Sequence, residues 1–153
     1  PYRLGAIARA RQLGALTVGL SCNTDTRLSA TAELAIEIEL GPEVISGSTR
    51  LKAGTAQKMV LNMFSTIVMV RLGKTYGNLM VDLKATNHKL RERAIRMVEL
   101  IAQVPREVAT AALEDVDFDV KLASLMLIAA IDRSAATDRL QAAGGRLRTA
   151  LEL

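Results

Sequence analysis

Three rhythms of apolar and polar residues run along this chain, and each predicts a different element. Near the start, Leu4, Ile7 and Ala8 share one helical face while Arg3, Arg9 and Arg11 fall elsewhere; Pro1 suits a first turn and Gly14 an end. Residues 16–20 then form a short run, apolar but for Thr17, that closes in Ser21, Asn23 and Thr24, the pattern of a buried parallel strand. A helix leading into such a strand implies an earlier strand, so the segment is expected to be a piece of a larger α/β unit. Residues 33–40 alternate strictly, Leu34, Ile36, Ile38 and Leu40 against Glu33, Ala35, Glu37 and Glu39, which predicts a strand with one wet face that Gly41-Pro42 stops. Glutamates two apart on a wet face read as surface charge rather than as an acid–base pair. Residues 56–72 are apolar nearly all round, which predicts a central helix ended by Gly73.

From Asn87 onward no strand pattern remains. Residues 89–103 carry Leu90, Ala94, Met97, Val98 and Ile101 at helical spacing, Pro105 opens a helix near Arg106, and further helices are expected over 119–131 and 135–143. This region holds a faint internal repeat: Leu113 and Leu140 are each followed seven positions on by Val120-Lys121 or Leu147-Arg148, with Ala123 or Ala150 two beyond. Two short helices joined by a tight Gly-Gly-type turn would produce it.

Composition narrows the partners. Half of the 153 residues are apolar, yet charges interrupt each apolar run before it reaches membrane-spanning length. The net charge is +4, but the basic residues are spread along the chain and only four aromatic residues could stack on bases, so a nucleic-acid partner is not expected. A small anionic ligand fits better. The start of the chain lacks the succession of an export signal, and the one cysteine, Cys22, excludes an intrachain disulfide; a cytoplasmic setting is expected. One histidine with no second histidine or cysteine nearby argues against a metal site, and no cofactor is expected.

The stretch GPEVISGSTRLKAGTAQK, residues 41–58, raises the chemical question. Hydroxyls of Ser46, Ser48 and Thr49, the Lys52 ammonium and the free N–H groups of a helix start could together hold a phosphate. The plainer alternative is a strand-to-helix corner with capping hydroxyls, in which Arg50 could pair with Glu43.

The segments ISGSTRLKAGTAQKMVLNM and LGKTYGNLMVDLKATNHKLRERA, with DVKLA and AAGGRLRTALEL further on, resemble the C-terminal half of the N-acetylmuramic acid 6-phosphate etherases. These are peptidoglycan-recycling enzymes of the sugar-isomerase (SIS) superfamily, and animal glucokinase regulatory proteins share the core pattern. The resemblance implies a partial SIS-type doubly wound parallel sheet over 1–86, then a helical bundle similar to ubiquitin-associated domains over 87–153. It implies a phosphorylated amino sugar as ligand, cleavage of a D-lactyl ether without a metal, and a homodimer formed through the α/β domain. The ligand would lie outside the carboxyl ends of the strands, where the Ser21–Thr24 turn and the Ser46–Lys52 loop both face. Substrate contacts are expected from Ser46, Ser48, Thr49 and Lys52, with Lys52 supplying the charge, and from Asn87 and Lys89 at the junction, where related sensors place a lysine. Asn87 could instead simply cap a helix whose basic face is solvated. The family's catalytic glutamate and serine-rich phosphate loop belong N-terminal to Pro1, so no catalytic residue is assigned and the chain alone is expected to be inactive. A phosphosugar-sensing module that binds without catalysis, and a helical module docking a protein partner, are the alternatives. A sheet lacking neighbours should also expose apolar surface and favour self-association.

Overall fold

The computed structural model describes residues 2–153, which form two compact units dividing between Ser65 and Thr66. The first unit opens with α1 (Tyr2–Gln12), and Gly14, at φ +77°, takes the chain out of it; the placement of Pro1 in a first turn lies outside the described residues. Next come β1 (Val18–Ser21), a short α2 (Arg27–Thr31) and β2 (Leu34–Glu37), with β1 and β2 paired in parallel from Val18↔Leu34 to Ser21↔Glu37. The fold is therefore mixed α/β, a small parallel pair followed by helices. Gly19 lets α2 lie against the strand, because a Cβ there would stand 3.1 Å from the Ala32 Cβ and 3.2 Å from the Leu28 carbonyl.

Several expectations change in this unit. The strand expected over 33–40 is paired only over four residues, although Ile38 still donates to the Ser21 carbonyl at 2.9 Å. Its apolar side has no dry layer to face: Leu34 is exposed and Ile36, Ile38 and Leu40 are half-buried. Glu33 is not free surface charge. Its carboxylate accepts from the N–H and hydroxyl of buried Thr17 at 3.0 and 3.2 Å, pinning the entry of β1 to that of β2. Cys22, just after β1, is half-buried.

The larger correction concerns α3 (Lys52–Arg71). The helix forms as expected and ends before Gly73, at φ +71°, but it is not central: none of its residues is buried, and Leu61 and Phe64 are 61% and 58% exposed. A helix apolar on every side needs cover on every side. No layer among the described residues supplies it.

The second unit takes in the last turns of α3 and then a hairpin the sequence reading missed, β3 (Thr75–Tyr76) and β4 (Leu79–Met80), antiparallel and turning through Gly77 at φ +57° and Asn78. Gly-Asn between two short apolar or aromatic pairs is a hairpin signal. Val81, just after it, is 1% exposed in the helical core. Five helices follow: α4 (His88–Ala102), α5 (Arg106–Asp115), α6 (Val120–Ala129), α7 (Arg133–Ala142) and α8 (Leu147–Glu152). Asn87, Asp119 and Asp132 cap α4, α6 and α7 through their side-chain oxygens. Asp82 lies between two ammonium groups, bonded to Lys74 and 3.2 Å from Lys121; these partners, Lys74 foremost, hold its carboxyl below the usual aspartate range.

The internal repeat is physical. Ala109, Leu113, Val120 and Ala123 of α5 and α6 are buried in one apolar cluster, and Ala136, Leu140, Leu147 and Ala150 of α7 and α8 are buried in the next. Both helix pairs turn through two consecutive left-handed residues, Asp117-Phe118 in the first and Gly144-Gly145 in the second. The same bonds close both turns: Phe118 N–H donates to the Leu113 carbonyl at 2.7 Å and Gly145 N–H to the Leu140 carbonyl at 2.9 Å. The first copy keeps a phenylalanine at φ +62°, where a bulky side chain is rare, and Arg91 stacks over that ring at 5.0 Å.

Candidate functional site

The first unit carries a cavity of about 820 Å³ at the carboxyl end of β1. Its walls are Leu20, Ser21, Cys22 and Asn23 from the end of the strand, Thr26, Arg27 and Leu28 from the start of α2, Thr49, Ala53 and Gln57 around the start of α3, and the first residues of α1 with Arg3. Open α/β sheets bind ligands in this position, because helix starts and loop N–H groups converge where strands end. Local bonding fixes the walls. Asn23 N–H donates to the Ser21 hydroxyl at 3.2 Å, Thr26 caps α2 through Ser29 N–H at 3.1 Å, and Gln57 donates to the Cys22 sulfur at 3.5 Å. The Ser29 hydroxyl, with N–H groups of Thr26 and Asp25, holds the Glu37 carboxyl below its usual range.

Of the expected substrate contacts in this unit, Thr49 lines the cavity and the other three do not. Ser46 and Ser48 sit in a turn at Gly47, φ +83°, closed by Ser48 N–H on the Ile45 carbonyl at 3.1 Å. Lys52 extends its ammonium to the Leu40 carbonyl at 3.3 Å. The start of α3 is also not vacant for an anion. The Glu43 carboxylate accepts from the N–H of Lys52 at 3.0 Å and of Ala53 at 3.1 Å, and so bonds the helix rather than pairing with Arg50. An anion at a helix start matches the sign of the helix dipole. The loop residues thus answer to an internal carboxylate that the sequence reading placed only on the surface.

The two N–H groups, that of Lys52 first, hold the Glu43 carboxyl below the ordinary glutamate value of 4.5. A lowered folded value means the contribution is complete above 4.5 and is lost as pH falls through the folded value. The amide resonances of Lys52 and Ala53 should therefore titrate together with a midpoint below 4.5, and Glu43→Gln should abolish that titration. A midpoint at or above 4.5 would mean that the carboxylate does not hold the helix start.

In the second unit, Asn87 is an N-cap, its side-chain oxygen accepting from Leu90 N–H at 3.0 Å. Lys89 is exposed beside Arg93 and Arg96 along a groove of about 360 Å³, which Glu92 completes while both its oxygens accept from Arg106 at 2.7 Å. His88 is exposed at the start of α4. Among the described residues no group of three His, Cys, Asp or Glu could hold a metal ion, and no helix is long and apolar enough to cross a membrane.

A parallel strand pair with its cavity at the strand ends, followed by a helical bundle, defines the class: an α/β segment with a C-terminal helical domain. The family model described as the C-terminal lid domain of glucokinase regulatory protein matches residues 77–149. The chain is homologous to N-acetylmuramic acid 6-phosphate etherases. It is 56% identical over 151 residues to the one from Streptomyces coelicolor and 57% identical over 151 residues to that of Rubrobacter xylanophilus, with 99% of this chain covered in each case and 49% and 50% of the relatives. The etherase of Salmonella paratyphi B is 53% identical over 152 residues, 51% of its length. The chain spans about half the length of the curated relatives it matches.

Proposed function

We propose that this chain is the ligand-cradling and lid-bearing half of an N-acetylmuramic acid 6-phosphate etherase, which cleaves the D-lactyl ether to give N-acetylglucosamine 6-phosphate and D-lactate in cytoplasmic peptidoglycan recycling. The observation that carries the reading is the cavity at the carboxyl end of β1, where the Ser21–Asn23 turn meets Thr49 at the start of α3. Identity above half across the whole chain supports it. In this reading Thr49, on the cavity wall, contacts a phosphorylated amino sugar, and the assembled protein is a homodimer. In this reading the carboxylate that removes the proton and the acid that assists the leaving oxygen come from outside this chain.

Incubated with N-acetylmuramic acid 6-phosphate, the chain alone should release no D-lactate above the uncatalysed background, and adding the other half of a homologous etherase should restore release. Release by the chain alone would place a catalytic pair within these residues and overturn the assignment. The lid match over 77–149 favours a second reading, a phosphosugar-binding regulatory module. Binding of N-acetylglucosamine 6-phosphate by the completed protein without any lactate release would select it.

A further inference from the structure

The charge around the cavity of the first unit is one-sided. Two arginines line it, Arg3 from the first turn of α1 and Arg27 from the first turn of α2, and no aspartate or glutamate does. Neither arginine forms an ion pair among the described residues. Their neighbours on α1 are engaged: Arg9 donates to the Gln12 side chain at 3.3 Å and Arg11 to the Thr31 carbonyl at 2.9 Å. Helix stability does not account for Arg3 and Arg27 either. A cation in a first turn opposes the sign of the helix dipole, and neither helix has an acid in that turn to offset it.

The positive groups at the start of α3 are already committed. The Lys52 ammonium reaches the Leu40 carbonyl, and the N–H groups of Lys52 and Ala53 are taken by the Glu43 carboxylate. The charge that faces the cavity is therefore that of the two arginines, while Ser21, Asn23 and Thr49 add uncharged hydrogen-bonding groups. We propose that Arg27, assisted by Arg3, selects the ligand of this cavity by an anionic group of the phosphate or carboxylate class. A guanidinium presents paired N–H donors that match two oxygens of either group. The substrate named above carries both, a 6-phosphate and a lactyl carboxylate. This assignment rests on the cavity being the ligand site, and it gives the arginines the electrostatic role that the sequence reading gave to Lys52.

Inorganic phosphate, D-lactate and uncharged N-acetylglucosamine, titrated separately into the chain and followed by the amide resonances of residues 21–28 and Thr49, test the assignment. At least one anion should shift these resonances, and N-acetylglucosamine at the same concentration should not. The anion that does so identifies which group Arg27 receives. Arg27→Gln should weaken that binding about tenfold, as expected for a lost charge-assisted hydrogen bond, and Arg3→Gln by less. Arg27→Lys, which keeps the charge without the planar fork, should fall between wild type and Arg27→Gln. Arg9→Gln removes the same charge from α1 away from the cavity and should change nothing. No shift with either anion, or equal weakening at Arg9 and Arg27, would overturn the proposal. Undiminished binding of N-acetylmuramic acid 6-phosphate by the completed protein carrying Arg27→Gln would also overturn it and leave the etherase reading standing. Anions that bind through Arg27 where the phosphosugar does not would sustain it and remove that reading.

Discussion

Leu125→Ala should lower the stability of the helical unit by about 3 kcal/mol, the usual cost of truncating a closed-in leucine. Leu125 is fully buried on α6, the helix that packs against α4, α5, α7 and α8. It shares a cluster with Ala136, Leu140, Leu147 and Ala150, while Val120 and Ala123 of the same helix belong to the neighbouring cluster. Alanines already line much of this interior, so few side chains are long enough to swing into the hole. Ile128→Ala, on the same helix but 42% exposed, should cost roughly 1 kcal/mol or less and serves as the control. Equilibrium urea unfolding followed by helical signal measures both. A loss below about 1 kcal/mol at Leu125 would mean that α6 is not the shared wall of the two clusters.

Gly73→Ala should have the second largest effect, about 2–3 kcal/mol, from two separable sources. The residue sits at φ +71°, where a Cβ costs roughly 1–2 kcal/mol. The added methyl also meets the Arg146 Cγ at 2.5 Å, so Arg146 must swing away and give up its bond to the Arg71 carbonyl, worth about another 1 kcal/mol. Gly77→Ala isolates the first source, because it has φ +57° and nothing within 4 Å of the added Cβ. Thermal unfolding of both variants separates the terms. Equal losses at the two glycines would show that Arg146 is not held against Gly73.

What the sequence made legible follows from the range of the forces involved. Periodicity located the helices after Asn87 well, since α4 to α7 each bury apolar residues in the interior and local side-chain caps at Asn87, Asp119 and Asp132 start α4, α6 and α7. The spacing from Leu113 to Val120 and from Leu140 to Leu147 even carried the duplicated helix–turn–helix, because the buried positions of a repeat must recur in register. Pattern misled at α3. An apolar run reports that a surface needs cover, not that the cover lies in the same 153 residues. Side-chain bonds across distant backbone were not legible at all. Nothing local distinguishes Glu33, which holds Thr17, from Glu39 beside it in the same alternation. Glu43 and the cavity contribution of Gln57 likewise depend on how the chain returns after Gly41. Of the loop expected to meet a ligand, Thr49 was placed on the cavity, whereas Arg27 and Gln57 could be recognised there only once α2 and α3 were in position.

The arrangement of Asp82 between Lys74 and Lys121 has a consequence for how freely these positions can vary. Losing either lysine leaves an intact pair of opposite charges around Asp82, and the remaining partner keeps the carboxylate ionised. Losing Asp82 leaves two ammonium groups facing one another, with Lys121 only 13% exposed and short of water to screen it. Two of the three positions can drift one at a time, and the third cannot move first.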